Sequence, residues 1–271
     1  MGVSVSGYYR WLGSVSVTDR DALLLTRINE VLAEHPDNSN YGVNRVYLAL
    51  AQRETPAGKA RVRRVMRANG LLQRKKRHPN GITKADAAAQ KSENLLKRNF
   101  HTDAPNKVWL TDITEIPCKD GKLYVAPVLD CFDGKIVGLS MADHMRAELC
   151  IQAFTNACQS EKAKGMILHS DRGSQYTSYS FRDCLRKYGA TQSMSGTGRC
   201  YDNARMESFF ATLKKEKLYR MDTRKLTREV VKRIVFRYIM IYYNRIRIYT
   251  TNPNGWPPEH FRSSIASILA A

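Results

Sequence analysis

Three acidic residues stand where a charge is costly. Asp112 interrupts the apolar run VWLTDITEI, Asp171 ends the run MILHSD, and Glu207 lies in the helix-periodic segment YDNARMESFFATLKKEKLYR. Thirty-five residues separate the second acid from the third. A carboxylate among apolar strand residues must be paired or bind a metal, because desolvating it alone is expensive. Three oxygen donors with no Cys or His beside them suit a hard divalent cation, Mg²⁺ or Mn²⁺. Two such ions, about 3.5–4 Å apart, can clamp the attacking and leaving oxygens of an in-line phosphoryl displacement. Asn203 precedes Glu207 by four residues and Lys214 follows it by seven, so all three share one helix face. Each residue also has a plainer reading. With 25 acidic residues, some Asp–Glu pair at a given spacing arises by chance. His169 reads as a satisfied core histidine, Asp202 as a helix cap, and Asp130 and Asp133 as turn formers. Lys214 either meets a DNA phosphate or solvates its helix.

The elements that must position these acids follow from periodicity. Residues 107–117 alternate as a strand, 119–122 turn, 123–132 form a second strand, 133–135 turn again, and 136–141 form a third. A helix over 147–163, a strand over 166–170, a helix over 178–188 and a strand over 191–195 come next. The helix over 201–220 closes the series, with Met206, Phe209, Phe210 and Leu213 at i, i+3, i+4 and i+7. The fold class is α/β: a mixed five-stranded sheet flanked by helices, in the ribonuclease-H-like order.

Before this core, residues 1–18 are short and mixed. Helices are predicted over 19–34, 43–51 and 56–69, the last capped by Thr55 with Pro56 at its first position. Val62, Val65 and Met66 face inward, and Arg61, Arg64 and Arg67 outward. Positions 59–77 hold nine basic residues and no acid, Lys75 and Lys76 among them. Three short helices, the last rich in arginine, fit a helix-turn-helix module on DNA phosphate. A helical bundle with a solvated basic face is the alternative. The predicted domains are a helix-turn-helix-like module over 1–77, a polar linker over 78–106 that orders on nucleic acid, a catalytic core over 107–222, and a basic helical extension over 223–271. A long helix at 223–247 and a last short segment after Trp256 make up that extension.

Net charge is +19, from 44 Lys and Arg against 25 Asp and Glu, and the excess is spread over both halves of the chain. Such a charge points to a long polyanion as partner. The six cysteines form no C-x-x-C pair, which argues against zinc and for buried thiols in a reducing, cytoplasmic compartment. The most apolar stretch, VVKRIVFRYIMIYY, is broken by Lys232, Arg233 and Arg237, so no membrane span is predicted.

The strings WLTDITEI, LDCFDGKIVG, LHSDRGSQYTS and SMSGTGRCYDNARMESFFATLKKE resemble the integrase-core transposases of bacterial insertion sequences. More narrowly, the chain resembles the OrfB product of the third insertion-sequence family. YGVNRVYLAL and VRRVMRANGLLQRKK are similar to that family's helix-turn-helix segment. The resemblance covers residues 5–262. It implies that Asp112, Asp171 and Glu207 form a DDE triad that is both catalytic and metal-binding, loaded with two Mg²⁺ or with Mn²⁺ as substitute. It implies that Lys214 contacts DNA. The implied activity is cleavage at element ends followed by strand transfer of the freed 3′-hydroxyl. The implied partners are double-stranded DNA at element ends and target, an OrfA product or OrfAB fusion, and further copies of the chain on DNA. The tail after Tyr243-Asn244-Arg245 departs from the family pattern, so no functional residue is carried from it. Two other functions fit the same residues: a catalytically silent, truncated OrfB that competes for DNA, and a ribonuclease-H-like nuclease that cuts without joining.

Overall fold

The computed structural model describes residues 4–73, 93–96, 99–196 and 200–270. The chain divides into two compact units, Met1–Pro79 with Arg247–Trp256, and Asn80–Ile246 with Pro257–Ala271.

The first unit holds helices α1 (Val5–Ala33), α2 (Val43–Gln52) and α3 (Lys59–Ala68), with a 3-10 turn at Pro36–Asn40. Its core is Leu24, Ile28 and Val31 of α1, Val46, Ala49 and Leu50 of α2, and Val62, Val65 and Met66 of α3. α1 begins earlier than apolar periodicity indicates, because Ser4 caps it by accepting the Gly7 N–H at 3.1 Å. Thr55 does not cap α3. Its N–H and its hydroxyl both donate to the Leu50 carbonyl at the end of α2, so α3 starts later, behind Gly58. Residues 247–256 belong to this unit rather than to a C-terminal extension. The Ile248 N–H donates to Tyr41 Oη at 2.9 Å, and Gln52 Nε2 to the Asn254 carbonyl at 2.8 Å. Gly255 sits at φ +71°, where a Cβ would stand 2.9 Å from Leu48 Cδ1.

The second unit is built on strands β1 (Val108–Thr111), β2 (Thr114–Cys118), β3 (Gly121–Asp130), β4 (Ile136–Ala142), β5 (Ile167–Ser170) and β6 (Thr191–Met194). β1 and β2 run antiparallel along one edge of β3 in a single register, from Trp109 opposite Asp130 to Cys118 opposite Gly121. They are one strand interrupted at Asp112 and Ile113, which is why six strands stand where the sequence indicates five. β4 lies on the other edge of β3, and β5 and β6 continue the sheet in parallel from β1. Helix α4 (Ala147–Glu161) packs on β4 at Gly138, where a Cβ would be 2.3 Å from the Ala153 carbonyl. Beneath it Trp109, Phe154, Phe181 and Tyr176 meet edge to face. The short α5 (Ser174–Thr177) and α6 (Tyr179–Lys187, capped by Ser178) lead to β6. α7 (Ala204–Glu216) follows a 3-10 turn at Cys200–Asn203.

The helix expected over 223–247 is α8 (Arg228–Phe236) continued by a wider π-helical stretch, Arg237–Ile246. Asn244 holds the start of β4 by bonding both the N–H and the carbonyl of Ile136, each at 2.9 Å. In α9 (Pro258–Ala270), Arg262 reaches Asp130, Asp133 and Glu161, and both aspartates are wholly buried. Asp130 and Asp133 also shape the β3–β4 turn, accepting the N–H groups of Phe132 and Lys135. Within the predicted linker, the described piece 93–96 is ordered by the core itself. The Met194 N–H donates to the Glu93 carbonyl, the Leu95 N–H to Ser193 Oγ, and Leu96 is buried. Cys131, Cys150, Cys158 and Cys184 are buried free thiols and Cys118 is half-buried, while the Cys200 side chain lies outside the described residues. No helix among the described residues is long and apolar enough to cross a membrane.

Candidate active site

β1 and β5 are parallel, and each residue of β1 faces the residue 59 positions later, from Val108 opposite Ile167 to Leu110 opposite His169. Continued just past both strands, the same offset sets Asp112 beside Asp171. Both aspartates therefore leave the carboxyl ends of adjacent central strands, the usual mouth of an α/β sheet. Asp112 is not mid-strand but occupies the gap between β1 and β2. Its Oδ1 accepts the Ile113 N–H at 2.8 Å. Asp171 Oδ1 accepts the Gly173 N–H at 3.0 Å, and a Cβ on Gly173 would press to 3.2 Å from that oxygen.

Glu207 reaches the site from α7. The stripe Met206, Phe209, Phe210 and Leu213 is buried as its spacing indicates, leaving Glu207 exposed on another face. Burial pushes the Asp112 carboxyl up from its ordinary 3.8 to about 7, and the negative charges of Asp171 and Glu207 add to the rise. The Lys214 ammonium works against it. Burial also raises Asp171. The three acids and the lysine thus share one electrostatic field. Among the described residues no three His, Cys, Asp or Glu side chains are yet drawn around a single point. Asp112 and Asp171 are held at strand ends, and Glu207 is exposed on its helix. The donors fit a hard divalent cation: they are all oxygens, and the burial and neighbouring negative charge that disfavour an ionised Asp112 are what a cation would relieve.

Asn203 enters the site from the first residue before α7. Asparagine at such a position ordinarily caps the helix, a bond worth about 1 kcal/mol, yet here it makes no capping bond. Its Nδ2 instead donates to the Thr111 carbonyl, next to Asp112, at 3.3 Å. Asp202 is buried and braces the loop by accepting the Gly196 N–H at 2.9 Å and Asn94 Nδ2 at 2.8 Å. His169 is a core histidine. Its two ring nitrogens bond Ser193 Oγ and Ser195 Oγ, and burial lowers it to about 4, so it stays neutral.

The residues predicted to touch DNA are dispersed. The Lys214 charge acts on Asp112. Arg61 and Arg64 both bond Asp21, each at 2.7 Å, and the Arg61 bond is the chief force holding the Asp21 carboxyl below its usual range. Arg67 is exposed on α3, and Lys75 and Lys76 lie outside the described residues. Sequence reasoning missed the Asp21 pairing and the Arg262 cluster, and it noted Asn203 without giving it a role. Four-residue spacing from Glu207 was the only local sign of the last.

Residues 102–200 and 207–264 match models described as integrase core domain, and residues 18–79 match an HTH-like domain. The transposase for insertion sequence element IS904 of Lactococcus lactis is 39% identical over 229 residues, 84% of this chain and 89% of the relative. Transposase InsF for insertion sequence IS3A of Escherichia coli is 32% identical over 264 residues, 96% of this chain and 91% of the relative. Among solved structures, the HTLV-2 integrase catalytic core domain in complex with magnesium is similar at TM-score 0.43 and 18% identity, covering 60% of this chain and 99% of that one. Its sequence places the chain in the IS3 family of insertion-sequence transposases, DDE polynucleotidyl transferases whose activity is DNA transposition.

Proposed function

We propose that Asp112, Asp171 and Glu207 are the catalytic and metal-binding triad, and that the reaction is cleavage at the element's ends followed by strand transfer of the 3′-hydroxyl. What supports this is that Asp112 and Asp171 directly follow the adjacent parallel strands β1 and β5, and that the charges of Asp171 and Glu207 both act on Asp112. A pair of Mg²⁺ ions, or Mn²⁺ in their place, would supply Lewis acidity for in-line displacement at phosphorus. The two aspartates fix the site because each directly follows a paired strand, β1 or β5, and is tied back by a backbone N–H. Glu207 completes it from a helix whose apolar face anchors it. Lys214 supplies positive charge for the scissile strand's phosphates. In the first unit, Arg67 with Lys75 and Lys76 contacts DNA phosphate, and Arg61 and Arg64 join when Asp21 releases them. The enzyme acts in the cytoplasm as a multimer on paired ends, with an OrfA product or OrfAB fusion as partner.

Strand transfer with purified protein tests this, using labelled end duplexes, a supercoiled target and Mg²⁺ or Mn²⁺, with Glu207→Gln alongside. Joined products that vanish in the variant support the assignment. Metal-dependent cleavage without joining would return the nuclease, and equal activity in both proteins would refute the triad.

A further inference from the structure

We propose that Asn203 is a fourth oxygen donor of the divalent-cation site, acting through Oδ1 either directly or across one water. This rests on the triad assignment above. Asn203 is 5% exposed, and among the described residues its Oδ1 is a buried acceptor with no hydrogen-bond partner. Such atoms are rare in folded proteins and call for a cause. The amide's orientation is set, because Nδ2 donates to the Thr111 carbonyl; the reverse orientation would turn oxygen against oxygen. The same bond pins the side chain at the end of β1, one residue before Asp112. Asn203 precedes Glu207 by four residues, at the start of the helix that carries that acid. The amide is thus tied to the residue before the first acid and joined in sequence to the third.

The chemistry of the missing partner is restricted. An amide oxygen only accepts, so it cannot hold a phosphate, which also only accepts. Among the described residues no cationic side chain, Lys214 included, bonds the amide oxygen. A hard cation takes neutral carbonyl-type oxygens together with carboxylates. A neutral donor here adds a ligand without adding a further negative charge beside the acids.

The test is Mn²⁺ binding by calorimetry on the full chain, comparing the parent with Asn203→Leu and Asn203→Asp, with melting temperature in chelator as a separate readout. The Leu variant matches Asn in size and lacks the oxygen. The Asp variant keeps an oxygen and loses the donor to Thr111. Asn203→Leu should weaken Mn²⁺ binding at least about tenfold, the scale of ligand-shell losses, and Asn203→Asp should bind at least as tightly as the parent. Leu binding within twofold of the parent would overturn the proposal. Equal weakening in both variants would overturn it too, since the amide would then serve only to hold Thr111. A parent that binds no Mn²⁺ would instead sink the triad assignment. If neither variant folds, the parent crystallised with Mn²⁺ decides: Oδ1 about 2 Å from the ion, or joined to it by one water, is required, and a longer separation overturns the inference.

Discussion

Replacing Asp112 by Asn should destroy catalysis and, in metal-free buffer, make the protein more stable. The folded chain holds the Asp112 proton more tightly than the unfolded chain does, since the carboxyl is raised from 3.8 to about 7. Ionising it therefore costs stability as pH climbs through that interval, with the full cost present above about pH 7. A rise of about 3 on the pH scale, at ~1.36 kcal/mol per unit, sets a ceiling of ~4 kcal/mol. The carboxyl is half-buried rather than sealed, and solvent screening reduces that to ~2 kcal/mol. Asn is nearly isosteric and keeps an oxygen for the Ile113 N–H, so little else changes.

In a unit of this size ~2 kcal/mol corresponds to about 4–8 °C in melting temperature. The assay is calorimetric melting of parent and variant in chelator at pH 8 and pH 5. The gain should be largest at pH 8 and clearly smaller at pH 5, where protonation has already lifted part of the cost. Added Mg²⁺ should raise the parent alone, by about 2.7 kcal/mol at a hundred times the dissociation constant. A variant that melts at or below the parent at pH 8 would refute the electrostatic account. So would a gain of equal size at both pH values, which would mean that packing and not charge is responsible.

Glu207→Gln should lose strand transfer by at least about a thousandfold, a barrier increase of ~4 kcal/mol, while its melting temperature in chelator stays within about 1 °C, because Glu207 is exposed. Arg262→Met should leave Asp130 and Asp133 buried without their cation and cost about 3–5 kcal/mol in urea unfolding; a loss below about 1 kcal/mol would show that the cluster does not hold α9. Asp21→Asn should release Arg61 and Arg64, tighten binding to duplex DNA and steepen the dependence of log affinity on log salt by about 0.9 for each phosphate newly engaged. An unchanged slope would remove those two arginines from the DNA surface.

What was legible in the sequence was local cost. Asp112 and Asp171 stand out because each breaks an apolar run, and a carboxylate there needs a compensating charge wherever the fold supplies it. The α7 stripe is legible for the same reason, since one face of a helix repeats within seven residues. Compensators were not legible, because they come from far along the chain. Arg262 meets acids more than a hundred residues earlier, Asp21 meets arginines from another helix, and Asn203 turns away from its own helix to a carbonyl 92 residues upstream. Residues 247–256 carry no periodic signal, yet they complete the first unit through Tyr41 and Leu48. A polar residue that looks misplaced locally therefore has two fates. Asp130 and Asp133 find their cation within the fold and become structure. Asp112, Asp171 and the Asn203 oxygen are not fully compensated by the chain, and a deficit of that kind, collected at the mouth of a sheet, is what a divalent cation would answer.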